Sequence, residues 1–253
     1  MKNIIKFCQQ YKKLAIGLII LAIIGVTVDY FITYVYPLYK TQKDIPFEWD
    51  KTNYVNSKLR EELKQSVVGI FDGTYATGVI IGSNNSFVLI LTNAHVVLGL
   101  HEDSKIHFVT DEYNIAVKNI EILNIDLFND LALLGIKVPN VVKFKSMEIA
   151  KENAKIGDKV YALGNPLGLE HIYTEGKVIY VNNIKKLYIS NPSAPGSSGT
   201  PIVNEKGELV GLIHALGYTN LRDTKCFYTY ITICIGRESI LDFIANTIKK
   251  LKK

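Results

Sequence analysis

Between Ser66 and Ile235 the chain is a succession of short apolar runs cut by Gly, Asn and Asp turns. The runs are Ser66–Phe71, Gly78–Ile81, Phe87–Thr92, Lys105–Val109, Ile115–Ile122, Leu131–Ile136, Lys159–Ala162, Gly176–Val181, Leu187–Ile189, Pro201–Val203, Leu209–Ala215 and Phe227–Ile235. Their β-branched content and regular punctuation predict strands of an all-β barrel or sandwich. The pattern then changes. Glu238–Lys250 places Ile240, Leu241, Phe243, Ile244 and Ile248 at helical spacing, which predicts one amphipathic closing helix. There is no internal repeat and no low-complexity tract.

The N-terminal region is of another kind. Residues 14–28 carry no charge, Asp29 interrupts, and Tyr30, Tyr34 and Tyr36 follow before Pro37. A run from Leu14 to Tyr36 is long and apolar enough to span a bilayer, with the tyrosines suited to one interface. Lys2, Lys6, Lys12 and Lys13 precede it, so the positive-inside bias puts residues 1–13 in the cytoplasm and the rest outside. An uncleaved anchor is expected at 14–36, with a cleaved signal peptide as the competing reading. Residues 37–63 read as a polar stalk or linker with a short helix over Leu59–Gln65, and 64–253 as the folded domain.

Net charge is +5, of which residues 1–36 hold +3. The remainder mixes both signs, which gives no basic face for nucleic acid. Lys249, Lys250, Lys252 and Lys253 suit the C-terminal end of a helix dipole. Of three cysteines, Cys8 falls on the cytoplasmic side, and Cys226 and Cys234 lie eight residues apart in a β-rich stretch where pairing is not expected. No paired-cysteine spacing for a metal occurs.

Three local settings carry chemistry. In Ala194-Pro195-Gly196-Ser197-Ser198-Gly199-Thr200-Pro201, a serine between glycines presents its hydroxyl outward, and the Gly196 and Ser198 N–H groups stay free to receive a developing oxyanion. His95, in Thr92-Asn93-Ala94-His95-Val96-Val97, stands just past a strand, where it can serve as general base. Asp130 opens the strand Leu131–Ile136 and can hold the histidine tautomer, whereas Asp126 reads as a turn residue. Ser197 fills the turn and is the weaker nucleophile candidate. A hydroxyl needs activation by such a base to attack an acyl carbon.

These segments resemble the trypsin-like serine peptidases, and most closely their HtrA/Deg branch, over about residues 64–250. The resemblance rests on Ser66-Val67-Val68-Gly69-Ile70, on the His95 and Asn129-Asp130-Leu131-Ala132-Leu133-Leu134 segments, and on Gly164-Asn165-Pro166-Leu167-Gly168-Leu169. It continues through Thr174-Glu175-Gly176-Lys177-Val178 and Pro195 to Pro201. It implies two packed six-stranded β-barrels of the chymotrypsin type, a C-terminal helix, and a triad of His95, Asp130 and Ser198 in the cleft between the barrels. Gly196 and Ser198 then form the oxyanion hole. The implied activity is endopeptidase hydrolysis of protein or peptide substrates through an acyl-enzyme, without metal or organic cofactor. A latent or non-hydrolytic binding module on the same fold is the alternative.

Thr200 stands where relatives commonly have glycine. The PDZ domains that often follow the peptidase domain in this branch are not expected here. The branch often forms trimers through an N-terminal segment, but the segment here is too dissimilar to imply an oligomer. By analogy, Ser193 and the stretch Ile213, His214, Ala215 and Leu216 wall the substrate pocket. Pro192 replaces the aspartate that selects basic residues, so a small or medium aliphatic P1 residue is the family expectation. His214 has two further readings: a selector of acidic P1 residues, or an approach to Asp130 from behind, since a one-residue offset along a strand reverses the face. A plain structural histidine is the third. His101, His107 and His171 show no ligand spacing, and Glu170 and Glu175 carry no assigned chemistry.

Overall fold

Leu59 and Leu63, four apart, lie on one face of the first described helix, α1 (Ser57–Lys64), and both are buried. That face is what holds so short a helix, since eight residues do not sustain one in water. The computed structural model describes residues 57–84, 87–101, 104–108, 114–116, 120–138, 144–220 and 226–252. The anchor expected at 14–36 and most of the stalk lie outside them. Among the described residues no helix is long and apolar enough to cross a membrane. The helix expected over Leu59–Gln65 is α1, and it packs into the same core as the strands that follow.

Seven strands build the first sheet: β1 (Val67–Phe71), β2 (Tyr75–Ser83), β3 (Phe87–Thr92), β4 (Lys105–Phe108), β5 (Asn114–Ala116), β6 (Ile120–Asp126) and β7 (Leu131–Lys137). Their order is β5-β4-β1-β2-β3-β7-β6. The run read as one strand over Ile115–Ile122 is therefore two, and they pair at opposite edges: β5 on β4, β6 on β7. Ala116 and Ile120 are four residues apart, so those edges lie within roughly 15 Å of each other. The sheet has to curl to meet that limit. Among the described residues the two edges do not pair, so the expected first six-stranded barrel is instead an open, curled seven-stranded sheet.

The second unit does close. β8 (Lys159–Gly164), β9 (Ile172–Val181), β10 (Lys186–Ile189), β11 (Pro201–Val203), β12 (Leu209–Asn220) and β13 (Cys226–Gly236) form a barrel in the order β10-β13-β12-β11-β8-β9. Closure leaves no unpaired edge. Cys234 is a free thiol at 0 % exposure, and burial pushes its pKa up.

Each unit has its own apolar interior, Ile70, Ile90 and Leu134 in the first and Val160, Ile189 and Ile202 in the second. A third cluster joins them, with Val79, Leu91, Leu163 and Leu212 meeting Leu59 and Leu63 of α1 and Ile240 and Phe243 of the closing helix. A single helical turn (Ala94–Val97, α2) follows β3, and the closing helix α3 spans Arg237–Leu251. The inner face of α3 is Ile240, Phe243 and Thr247, whereas Ile248 is exposed. Thr247 accepts a hydrogen bond from Asn124 Nδ2 at 2.8 Å, which ties α3 to β6.

Candidate active site

The turn that carries Ser198 is held from both units. Ser197 is buried, its amide donates to the Ala194 carbonyl at 2.9 Å, and its Oγ accepts from the Ala194 amide at 3.1 Å. That inward hydroxyl is spent on the turn, and Ser198 faces the other way. From β2, the Thr77 amide donates to the Ser198 carbonyl at 2.8 Å, and Thr77 Oγ1 donates to the Gly196 carbonyl at 3.1 Å. From the barrel, the Gly199 amide donates to the Ile213 carbonyl at 3.0 Å.

Gly196 and Gly199 both sit at positive φ, 96° and 81°. A Cβ on Gly199 would collide with the Thr77 carbonyl oxygen. Gly199→Ala is therefore expected to cost about 3 kcal/mol, from about 1–2 for the left-handed backbone and about 1–3 for displacing a packed neighbour. Chemical denaturation measures it. Thr200 is accommodated by a matching absence, because Gly164 leaves the space that the Thr200 side chain occupies.

The Pro195 carbonyl accepts a hydrogen bond from the Leu167 amide at 2.7 Å. In a trans peptide the N–H points opposite to the C=O, so this bond turns the Gly196 N–H away from Leu167. Among the described residues, neither the Gly196 nor the Ser198 amide donates to another group.

His95 is carried by α2, directly after β3. Asp130 closes the turn between β6 and β7 at φ 55°, a left-handed conformation that aspartate tolerates better than most residues. Asp126 builds that turn, as the sequence indicated. Its carboxylate accepts from the Phe128 amide, the Asn129 amide and Asn129 Nδ2, which together hold its pKa down against the opposing effect of burial.

The structure brings His95, Asp130 and Ser198 together. His95 Nε2 lies 2.9 Å from Ser198 Oγ, and His95 Nδ1 lies 2.7 Å from Asp130 Oδ2. Asp130 Oδ1 accepts the His95 amide at 2.8 Å, and Asn93 Nδ2 donates to the Asp130 carbonyl at 3.0 Å. His214 makes the remaining contact, with its Nδ1 also 2.7 Å from Asp130 Oδ2. Burial acts to raise the Asp130 pKa, but hydrogen bonds from His214, from His95 and from the His95 amide outweigh it, holding the carboxyl well below the usual range.

The ligand-type atoms of His95, Asp130 and His214 all lie within 4.8 Å of one another. Nitrogen–oxygen separations of 2.7 Å are those of charged hydrogen bonds. Ligands on a tetrahedral zinc with bonds near 2.0 Å would stand roughly 3.3 Å apart. The arrangement is a hydrogen-bonded line.

Around the site, Ser193 Oγ lies 2.6 Å from Thr232 Oγ1, which donates to the Asn191 carbonyl at 2.6 Å. Thr232 has one proton, so Ser193 is the donor between them. Ile213 is buried in the barrel core, Ala215 and Leu216 are half-buried, and Pro192 is exposed. The register along β12 shifts between Ile213 and Ala215, so His214 sits in a β-bulge. His101 is a loop histidine, with Nε2 2.9 Å from the Asp72 carbonyl, and His107 lies on β4.

The sequence reading assigned no role to Thr77, to Leu167, though it stands in the quoted Gly164–Leu169 segment, or to Lys186, whose Nζ lies 3.2 Å from His214 Nε2. Thr77 is a small polar residue at 0 % exposure among the apolar residues Ala76 and Val79 to Ile81 of its strand, a departure from the pattern that marks a buried hydrogen-bonding duty. Nothing local marks Lys186.

Comparison with known proteins agrees with this fold. The family model for the trypsin-like peptidase domain matches residues 76–212, more than half of the chain. The Do-like serine protease HtrB of Bacillus subtilis is 29% identical over 150 residues, covering 54% of this chain and 31% of that protein. A probable periplasmic DegP-like serine endoprotease of Pseudomonas putida is 33% identical over 143 residues, covering 54% and 28%. A Staphylococcus aureus HtrA-like serine protease is 26% identical over 193 residues, covering 69% and 23%. The chain thus spans less than a third of the length of each of these relatives.

Among solved structures, the serine endoprotease of Yersinia pestis superposes with a TM-score of 0.60 at 23% identity, covering 76% of this chain and 66% of that one. The inactive form of an M. tuberculosis protease superposes at 0.60 and 20% identity, covering 76% and 94%. At these identities the likeness is one of fold.

Proposed function

The chain belongs to the trypsin-like peptidase domain family, and on that premise we propose that it is a serine endopeptidase acting on protein substrates. The observation that carries this is the unbroken line from Ser198 Oγ through His95 to Asp130, with contacts of 2.9 and 2.7 Å.

In this reading Ser198 Oγ attacks the scissile carbonyl carbon while its proton passes to His95 Nε2. The Nδ1–H of His95 donates to Asp130, which stabilises the imidazolium so formed. The carbonyl oxygen, now negative, is received by the Gly196 and Ser198 amides. Collapse breaks the C–N bond, His95 returns its proton to the leaving amine, and an acyl-Ser198 ester remains. Water, deprotonated by His95, then attacks the ester, and its cleavage restores the Ser198 hydroxyl. The substrate pocket is walled by Ser193 and by Ala215 and Leu216, with Ile213 behind them. No carboxylate stands in the Leu187 to Asn204 segment, and the Ser193 hydroxyl is engaged with Thr232, which favours a small or medium aliphatic P1 side chain.

The same proposal places residues 14–36 across a membrane, 37–63 as a linker and the peptidase domain outside the cytoplasm. The lysines before the apolar run support this orientation, and so does the periplasmic description of the P. putida relative.

The test is covalent labelling of the full-length chain in detergent with a fluorophosphonate probe, followed by peptide mass analysis. A single adduct on Ser198 is expected. A folded chain that takes up no probe, or takes it up elsewhere, would overturn the reading.

A further inference from the structure

His214 is not absorbed by the three-residue line. It occupies a bulge in β12, where the extra residue breaks the two-residue alternation and re-aims a side chain. The result is a second imidazole on the same carboxylate oxygen that serves His95, with both Nδ1 atoms 2.7 Å from Asp130 Oδ2. Its far nitrogen, Nε2, lies 3.2 Å from Lys186 Nζ, on β10.

The protonation states follow from which groups can donate. An ionised carboxylate only accepts, so Nδ1 of His214 carries a proton. An ammonium only donates, so Nε2 of His214 has to offer a lone pair. Both conditions hold for one species, the neutral Nδ1–H tautomer. Adding a proton at Nε2 would set N–H against ammonium. The lysine amine is the stronger base of the two, so the shared contact leaves the proton on nitrogen Nζ and the lone pair on the ring. Other neighbours do not change this. His95 lies across Asp130, and β13 sets Ile233 and Cys234 beside the bulge, the Cys234 thiol being buried and neutral.

We propose that His214 is a positioning residue of this site: a neutral imidazole, locked as its Nδ1–H tautomer by Lys186, that fixes the Asp130 carboxylate through the same oxygen that serves His95. The part of this that concerns rate rests on the triad reading above. Neutrality is the point of the device. A second cation on Asp130 would weaken the support that the carboxylate lends to the His95 imidazolium during attack. Lys186 supplies its charge one imidazole further away.

Two measurements on the full-length chain in detergent test it. In the first, ¹⁵N-histidine NMR assigns His214 by the signal lost in His214→Ala. The wild type is expected to keep the neutral Nδ1–H pattern between about pH 5 and 9, whereas Lys186→Met is expected to titrate there. An ordinary imidazole titration of His214 in the wild type overturns the proposal. In the second, the fluorophosphonate labelling rate is followed against pH. His214→Ala is expected to slow it about tenfold, and His214→Asn, whose Nδ2–H can replace the ring donor, to recover to within about threefold of wild type. Lys186→Met is expected to add a second ionisation to the acid limb. Wild-type rate and profile in His214→Ala, or no recovery in His214→Asn, also overturns it. Were the folded wild type itself unlabelled, the triad reading would fall, while the NMR pattern would still decide the state of His214.

Discussion

Replacing Ser198 by alanine is expected to lower kcat on a denatured protein substrate by about 10⁶-fold and to leave the fold intact. The size follows from the mechanism: without Oγ no acyl-enzyme forms, and what remains is oxyanion stabilisation and binding. That residue of catalysis is worth about 10³-fold over water. Ser198 is half-buried, and its hydroxyl bonds only to His95 in the described structure, so stability is expected to move by less than about 0.5 kcal/mol. A thermal melt run beside the assay separates loss of chemistry from loss of fold. His95→Ala is expected to cost about as much, and the double variant little more, because the two groups act as one unit. Independent, multiplying losses would show that they do not.

The second large effect is expected from Asp130→Asn, about a 10⁴-fold fall in kcat. The asparagine fits the same space but presents an amide N–H where one carboxylate oxygen stood. If that N–H faces His95, the ring has to accept at Nδ1 and carry its proton on Nε2, and it then cannot take the Ser198 proton. His214 meets the same reversal, since both rings address Oδ2. Stability should respond with a definite sign. The folded-state pKa of Asp130 is depressed, so its contribution is fully present above the unfolded carboxyl value of about 3.9. It is lost as pH falls through the lower folded value. The difference in Tm between wild type and Asp130→Asn is therefore expected to be largest near neutrality and to shrink under acid. A difference independent of pH would mean that Asp130 gains nothing from its partners.

Much of this protein was legible before any coordinates. The continuous apolar runs Phe87–Thr92 and Leu131–Ile136, bounded by turn residues, read directly as buried strands, and both segments are strands within a residue of the expected limits. Asp126 and Asp130 could be told apart because a turn residue and a strand-opening residue sit differently against the apolar run that follows. His95, Asp130 and Ser198 each stand in a local setting specific enough to single them out. The structure sets them in hydrogen-bond contact.

What only the tertiary structure decided are properties of pairing. Residues 114–126 hold enough apolar residues for one strand, yet they serve two edges of a sheet, and which edge each half meets is decided by β4 and β7. Period-two reasoning was sufficient to turn His214 away from Ile213, but a bulge is a mismatch with a partner strand and leaves no mark in the strand that contains it. Lys186 meets His214 across 28 residues of chain, and Thr77 meets Gly196 across 119. Local composition sets which face of a segment is buried. Register, closure and polar contacts between segments are set by long-range packing, where a single residue's identity carries little information until its partner is in place.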